Sequence, residues 1–178
     1  MVIGLPAWMA SLALAIATIW DAISDLIIGY SSDHTKSRLG RRHPYMYAAL
    51  IPVPIFFVLL WNPPTFDTDF NLFLYLLIMA ILVRTFTTLF EIPNQSLGPE
   101  ITREYHERTK MMSLRYFFGW MGGTVMTIFM YFVFLKPTVD YPNGQLNPEG
   151  YQIYGFMAAF IMLAAMIISS RGLNHLIP

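Results

Sequence analysis

Residues 20–44 read WDAISDLIIGYSSDHTKSRLGRRHP, an apolar segment that carries two aspartates and ends in a compact basic loop. Upstream, positions 3–19 hold no charged residue, so the simplest reading carries one helix through Asp21 and Asp25. Four residues apart, the two carboxylates share a helical face. Each would cost about 2.5–3.5 kcal/mol near the centre of a bilayer and less toward its surface, which argues against a lipid-facing placement. Two readings stay open. In one, the pair sits at headgroup level and merely ends the span. In the other it is submerged and faces protein or water. Residues 26–30 continue the apolar run before Ser31, Ser32 and Asp33 mark the exit, which favours the second.

The rest of the composition agrees with a membrane protein. Of 178 residues, 56% are hydrophobic and only 12% charged, more apolar than a soluble core requires. The formal charge is zero and the basic residues cluster in short loops, so no nucleic-acid surface is expected. Absence of cysteine excludes disulfides, thiol catalysis and cysteine metal sites. A small-residue stretch near Ala13 to Ala17 lacks the basic region of a signal peptide and reads as part of a mature helix.

Apolar segments cover about 3–30, 45–61, 70–92, 116–135 and 151–170, each near the roughly 17–25 residues that a crossing helix needs. Backbone groups in hydrocarbon must bond within their own segment, and these segments lack the alternation of a membrane barrel. The expectation is an all-α, polytopic transmembrane helical bundle of five spans, with Pro6, Pro52, Pro54 and Pro93 as kink sites. Lys36, Arg38, Arg41 and Arg42 follow span one, Arg103, Arg108 and Lys110 follow span three, and Arg171 follows span five. Those ends are expected in the cytoplasm, with Met1 outside and the C-terminus inside a cell membrane crossed several times.

A second polar group lies in span three. Arg84, Thr88 and Glu91 occupy one face of ILVRTFTTLFEIPNQSLGPE. One reading pairs Arg84 with Glu91 structurally; the other makes the face a polar wall of a cavity. Carboxylates and a hydroxyl are hard oxygen ligands suited to an alkali cation, and a carboxylate pair can instead exchange a proton.

Gly29, Asp33, Gly40, Arg41 and Arg42 resemble the cytoplasmic loop signature of the major facilitator superfamily. The fuller WDAISD and GYSSDHTKSRLGRRHPY strings, with TTLFEIP, SLGPEIT and ERT, are similar to the glycoside-pentoside-hexuronide cation symporters, the melibiose-carrier group. The resemblance implies that the five spans correspond to helices 2–6 of an N-terminal six-helix half. Residues 1–178 would then be a partial domain, with the first helix and the entire second half absent. It implies a cation site of Asp21, Asp25, Thr88 and Glu91, and solute contacts at Glu91, Gln95 and Arg115. Asp33, Arg38, Arg41 and Arg42 would hold a cytoplasmic gate against the missing half. Two departures stand out: Glu91 replaces the aspartate of melibiose carriers, and Gln95 replaces their sugar-contacting tryptophan.

The function expected is part of a sodium- or proton-coupled symporter for a sugar or glycoside-like solute, working by alternating access without a cofactor. Its partners are the lipid bilayer, the small-molecule solute and the missing transporter half. The alternative is a truncated, non-transporting membrane fragment with a structural or partner-binding role. Intramembrane aspartyl proteolysis is disfavoured, because Asp21 and Asp25 share one helix and no GxGD motif occurs. Gly119 and Gly123 read as a helix-packing pair, and Trp20, Tyr116 and Trp120 as either packing or solute-stacking aromatics. His34, His43, His106 and His175 are scattered over cytoplasmic ends, and no metal site is assigned to them.

Overall fold

A computed structural model describes residues 4–101, 104–139 and 141–172. Met1, Arg103 and His175, on which parts of the topology and histidine readings rest, lie outside the described residues. The order is α1 (Ala7–His34), α2 (His43–Ala49), α3 (Pro52–Trp61), α4 (Asp69–Ile101), α5 (Tyr105–Phe129) and α6 (Pro148–Gly172). A π turn, Met130–Phe134, extends α5, and a 3-10 turn, Gly144–Leu146, precedes α6. With α2 and α3 forming one crossing, His43–Trp61, there are among the described residues five helical stretches long and apolar enough to span a membrane. The protein is a multi-pass, all-helical membrane protein.

Span two is interrupted where the prolines fall. Pro52 and Pro54 remove two backbone donors, so the helical ladder is interrupted at Leu50 and Ile51 although both keep right-handed helical dihedrals. Pro93 has the opposite outcome. It is fully buried inside α4, and the helix runs past the expected end near residue 92 to Ile101. Neighbouring helices supply the packing that holds it. Helix α5 likewise begins at Tyr105 rather than near residue 116, with Lys110 and Glu107 paired at 3.7 Å on its first turns. Hydropathy marks where lipid contact begins, whereas hydrogen bonding carries a helix on into water.

Helix α1 packs along α4, and α3 packs between α4 and α6. The buried positions of α1, Ala13, Ala17, Ser24, Ile28 and Ser32, are mostly small and recur on one face, which permits close helix approach. A Cβ on Gly29 would lie 3.7 Å from Ile92 of α4. The core is centred on Ala49, Val53 and Met166, with Phe86, Leu89 and Phe90 around it. At the opposite end Trp61 stacks on Tyr151 at 6.0 Å between ring centroids and meets Tyr154 edge-on at 5.3 Å. No described residue of α5 is buried, so this helix touches the bundle mainly through the π turn and a thin contact with α4.

Candidate cation and solute site

The α1–α4 contact assembles the first part of the site. Thr88 Oγ1 donates to Asp21 Oδ1 at 3.2 Å, and Arg84 Nη1 donates to Asp21 Oδ2 at 3.1 Å. One residue away, Trp20 Nε1 donates to Thr85 Oγ1 at 2.8 Å and fixes the register of the two helices. Thr88 is buried, Asp21 is half-buried, and the Arg84 side chain is 52% exposed. Asp25, one turn further along α1, is half-buried and carries no hydrogen bond or ion pair to the described residues. Both aspartates therefore escape full exposure, and Asp21 is satisfied by protein.

Arg84 does not pair with Glu91. Seven residues along one helix rise about 10.5 Å, which two side chains bridge only when both are extended toward each other, while α1 delivers Asp21 to bonding distance. Glu91 Oε1 instead accepts from Gln95 Nε2 at 3.0 Å. That pair lines a cleft of about 840 Å³ between α4 and α5, facing Arg115, Tyr116, Trp120 and Thr127. Glu91, Gln95 and Arg115 are thus brought together, whereas Glu91 is not joined to Asp21 or Asp25. Arg115 also borders a smaller cavity of about 380 Å³ with Asn94 and Ser169, which bond to each other at 3.3 Å.

The basic loop is built around Gly40, whose φ of +80° lies in the left-handed region that glycine adopts without strain. Its N–H closes a turn on the Ser37 carbonyl at 3.0 Å. Arg42 is directed back onto the bundle. It donates to Asp33 Oδ1 at 3.1 Å and to the Ser96 carbonyl of α4. Asp33 and Arg42 are thereby paired within this chain, while Arg38 and Arg41 are exposed. The sequence reads Trp20 as a packing or solute-stacking ring and Arg84 as a partner of Glu91 or part of a polar wall; the Trp20–Thr85 bond, the Arg84–Asp21 pair and the Ser96 carbonyl as a partner of Arg42 are not among its expectations. A lone intramembrane arginine opposite an aspartate-bearing helix was the available signal for Arg84.

Residues 1–176 match the family described as MFS/sugar transport protein. The chain belongs to that family. It is 34% identical over 176 residues to an uncharacterised symporter of Synechocystis sp., covering 96% of this chain and 32% of that protein. An inner membrane symporter of Escherichia coli is 29% identical over 168 residues, covering 94% and 35%. The isoprimeverose transporter of Lactiplantibacillus pentosus is also 29% identical over 168 residues, covering 94% and 33%. The chain spans about a third of the length of these curated relatives. The family and these relatives are transporters rather than enzymes.

Proposed function

We propose that this chain supplies part of the first half of a cation-coupled symporter for a sugar or glycoside-like solute. The observation that carries the reading lies on α4, where Thr88 bonds Asp21 and, one turn on, Glu91 lines the α4–α5 cleft. Asp21, Asp25 and Thr88 offer oxygen ligands for sodium, or a carboxylate for a proton. Glu91, Gln95 and Arg115 offer acceptors and donors for solute hydroxyls. Trp120 and Tyr116 provide ring faces in the same cleft, so aromatic surface is present although Gln95 is not aromatic. Because Thr88 and Glu91 are separated by one helical turn, occupancy at one position bears directly on the geometry of the other. Such linkage is what coupling by differential affinity requires.

The names of the relatives support the same class, since two are symporters and one is an isoprimeverose transporter. The basic loop is proposed to face the cytoplasm, and the connection between α3 and α4 the exterior. Cysteines placed at Ser37 and Thr65 are then labelled from opposite sides; labelling of position 37 from outside alone overturns the orientation. For coupling, solute uptake by the full-length protein is measured in proteoliposomes with sodium or proton gradients. Asp21→Asn and Asp25→Asn are expected to abolish or shift cation stimulation while leaving insertion intact. Unchanged sodium and proton dependence in both variants removes the assignment.

A further inference from the structure

Asp21 is already occupied by a cation that belongs to the protein. Arg84 takes Oδ2 and the Thr88 hydroxyl takes Oδ1, so both carboxylate oxygens are engaged. An alkali ion bound there needs those oxygens and a lone pair of Thr88, whose proton now points at Asp21. Asp25, by contrast, has no bond to the described residues. The guanidinium sits at the end of a long flexible stem, and the side chain is 52% exposed. It can withdraw from Asp21 without breaking a buried contact. The Trp20–Thr85 bond beside it holds α1 and α4 together when it does.

We propose that Arg84 is a tethered counter-cation that competes with the coupling ion for Asp21 and sets the affinity of the site for alkali cations. The inference rests on the cation-site reading above. A side chain that occupies the site ten times more often than it vacates it weakens apparent ion affinity by about tenfold, by simple competition. In the empty carrier Asp21 is then paired with Arg84 for most of the time. A bound alkali ion releases Arg84, so arginine position reports ion occupancy to the rest of α4.

The test is binding of radiolabelled sodium to the purified full-length transporter. Arg84→Met, which removes the charge but keeps a long flexible stem, is expected to tighten sodium binding about five- to tenfold. Arg84→Lys, which retains a tethered positive charge, is expected to stay nearer the parent. Adding Asp21→Asn to Arg84→Met is expected to remove the gain. Arg84→Gln carries the same expectation as Arg84→Met should the latter not survive purification. Sodium affinity equal to or weaker than the parent in a monodisperse Arg84→Met or Arg84→Gln protein overturns the proposal, as does absence of sodium binding from parent and variants alike. If Asp21→Asn and Asp25→Asn leave parental sodium binding unchanged, the cation-site reading itself falls. A failure confined to Arg84, with both aspartates still needed, leaves that reading standing.

Discussion

Thr88 Oγ1 and Asp21 Oδ1 lie 3.2 Å apart, joining α4 to α1 within the membrane span through a buried hydroxyl. Thr88→Val keeps the branched shape and deletes the oxygen. In the full-length protein it is expected to weaken sodium dependence of uptake about tenfold, the effect of losing one bond to a charged group. Thr88→Ser, which keeps the hydroxyl, is expected to remain within about threefold of the parent. Equal cation dependence in both variants would show that the hydroxyl only packs the interface.

Arg42 and Asp33 contribute unequally to their shared ion pair. The Arg42 side chain is 12% exposed and also reaches the Ser96 carbonyl, whereas Asp33 is 54% exposed. Arg42→Ala strips α4 of a charged partner and is expected to destabilise the purified protein by about 1–3 kcal/mol. Asp33→Asn removes a largely solvated charge and is expected to cost about 0–1 kcal/mol. Thermal unfolding in detergent measures both. A larger loss from Asp33→Asn would mean that the loop is held by charge rather than by the contact with α4.

Gly155 lets α6 close on α3. A Cβ there would stand 2.7 Å from the Trp61 Cβ, a contact that requires backbone movement. Gly155→Ala is therefore expected to lower stability by about 1–3 kcal/mol, and near-ultraviolet circular dichroism should report loosening of the Trp61–Tyr151 stack. Gly122→Ala, with nothing within 4 Å of its added carbon, is expected to stay within about 0.5 kcal/mol of the parent. Comparable losses at both positions would remove close packing as the cause.

The five spans were legible because hydrocarbon demands uninterrupted apolar length, and residues 3–19 alone meet most of that demand. The run of α4 through Pro93 was not legible, because a missing donor breaks a helix only where neighbouring packing fails to hold it. In the site, the Glu91–Gln95 bond follows directly from an i, i+4 spacing. The Arg84–Asp21 pair does not. It depends on which turn of α1 meets which turn of α4, and that register is set by small residues such as Ala17 and Ser24 together with the Trp20–Thr85 bond. Spacing along one helix suggested Glu91 as the partner of Arg84, and only interhelical geometry redirects the arginine.

Glu91 separates two roles that the sequence left combined. Its bond to Gln95 and its place in the cleft put it with Arg115, while Thr88 on the preceding turn faces Asp21. Glu91→Gln preserves shape and hydrogen-bonding capacity but removes the charge. If the carboxylate serves the solute through hydroxyl contacts, this variant is expected to weaken solute affinity about tenfold or more, as loss of a charged hydrogen bond does, with cation stimulation retained. Glu91→Asp retracts the charge by one methylene and draws it away from Gln95, so altered preference among glycosides is expected, again with cation dependence intact. Competition uptake assays with a panel of sugars, run at saturating and limiting sodium, separate the outcomes. Weakened sodium stimulation in Glu91→Gln at unchanged solute affinity would move Glu91 to the cation site with Asp21. Parental transport by both variants would leave the glutamate as a structural partner of Gln95 alone.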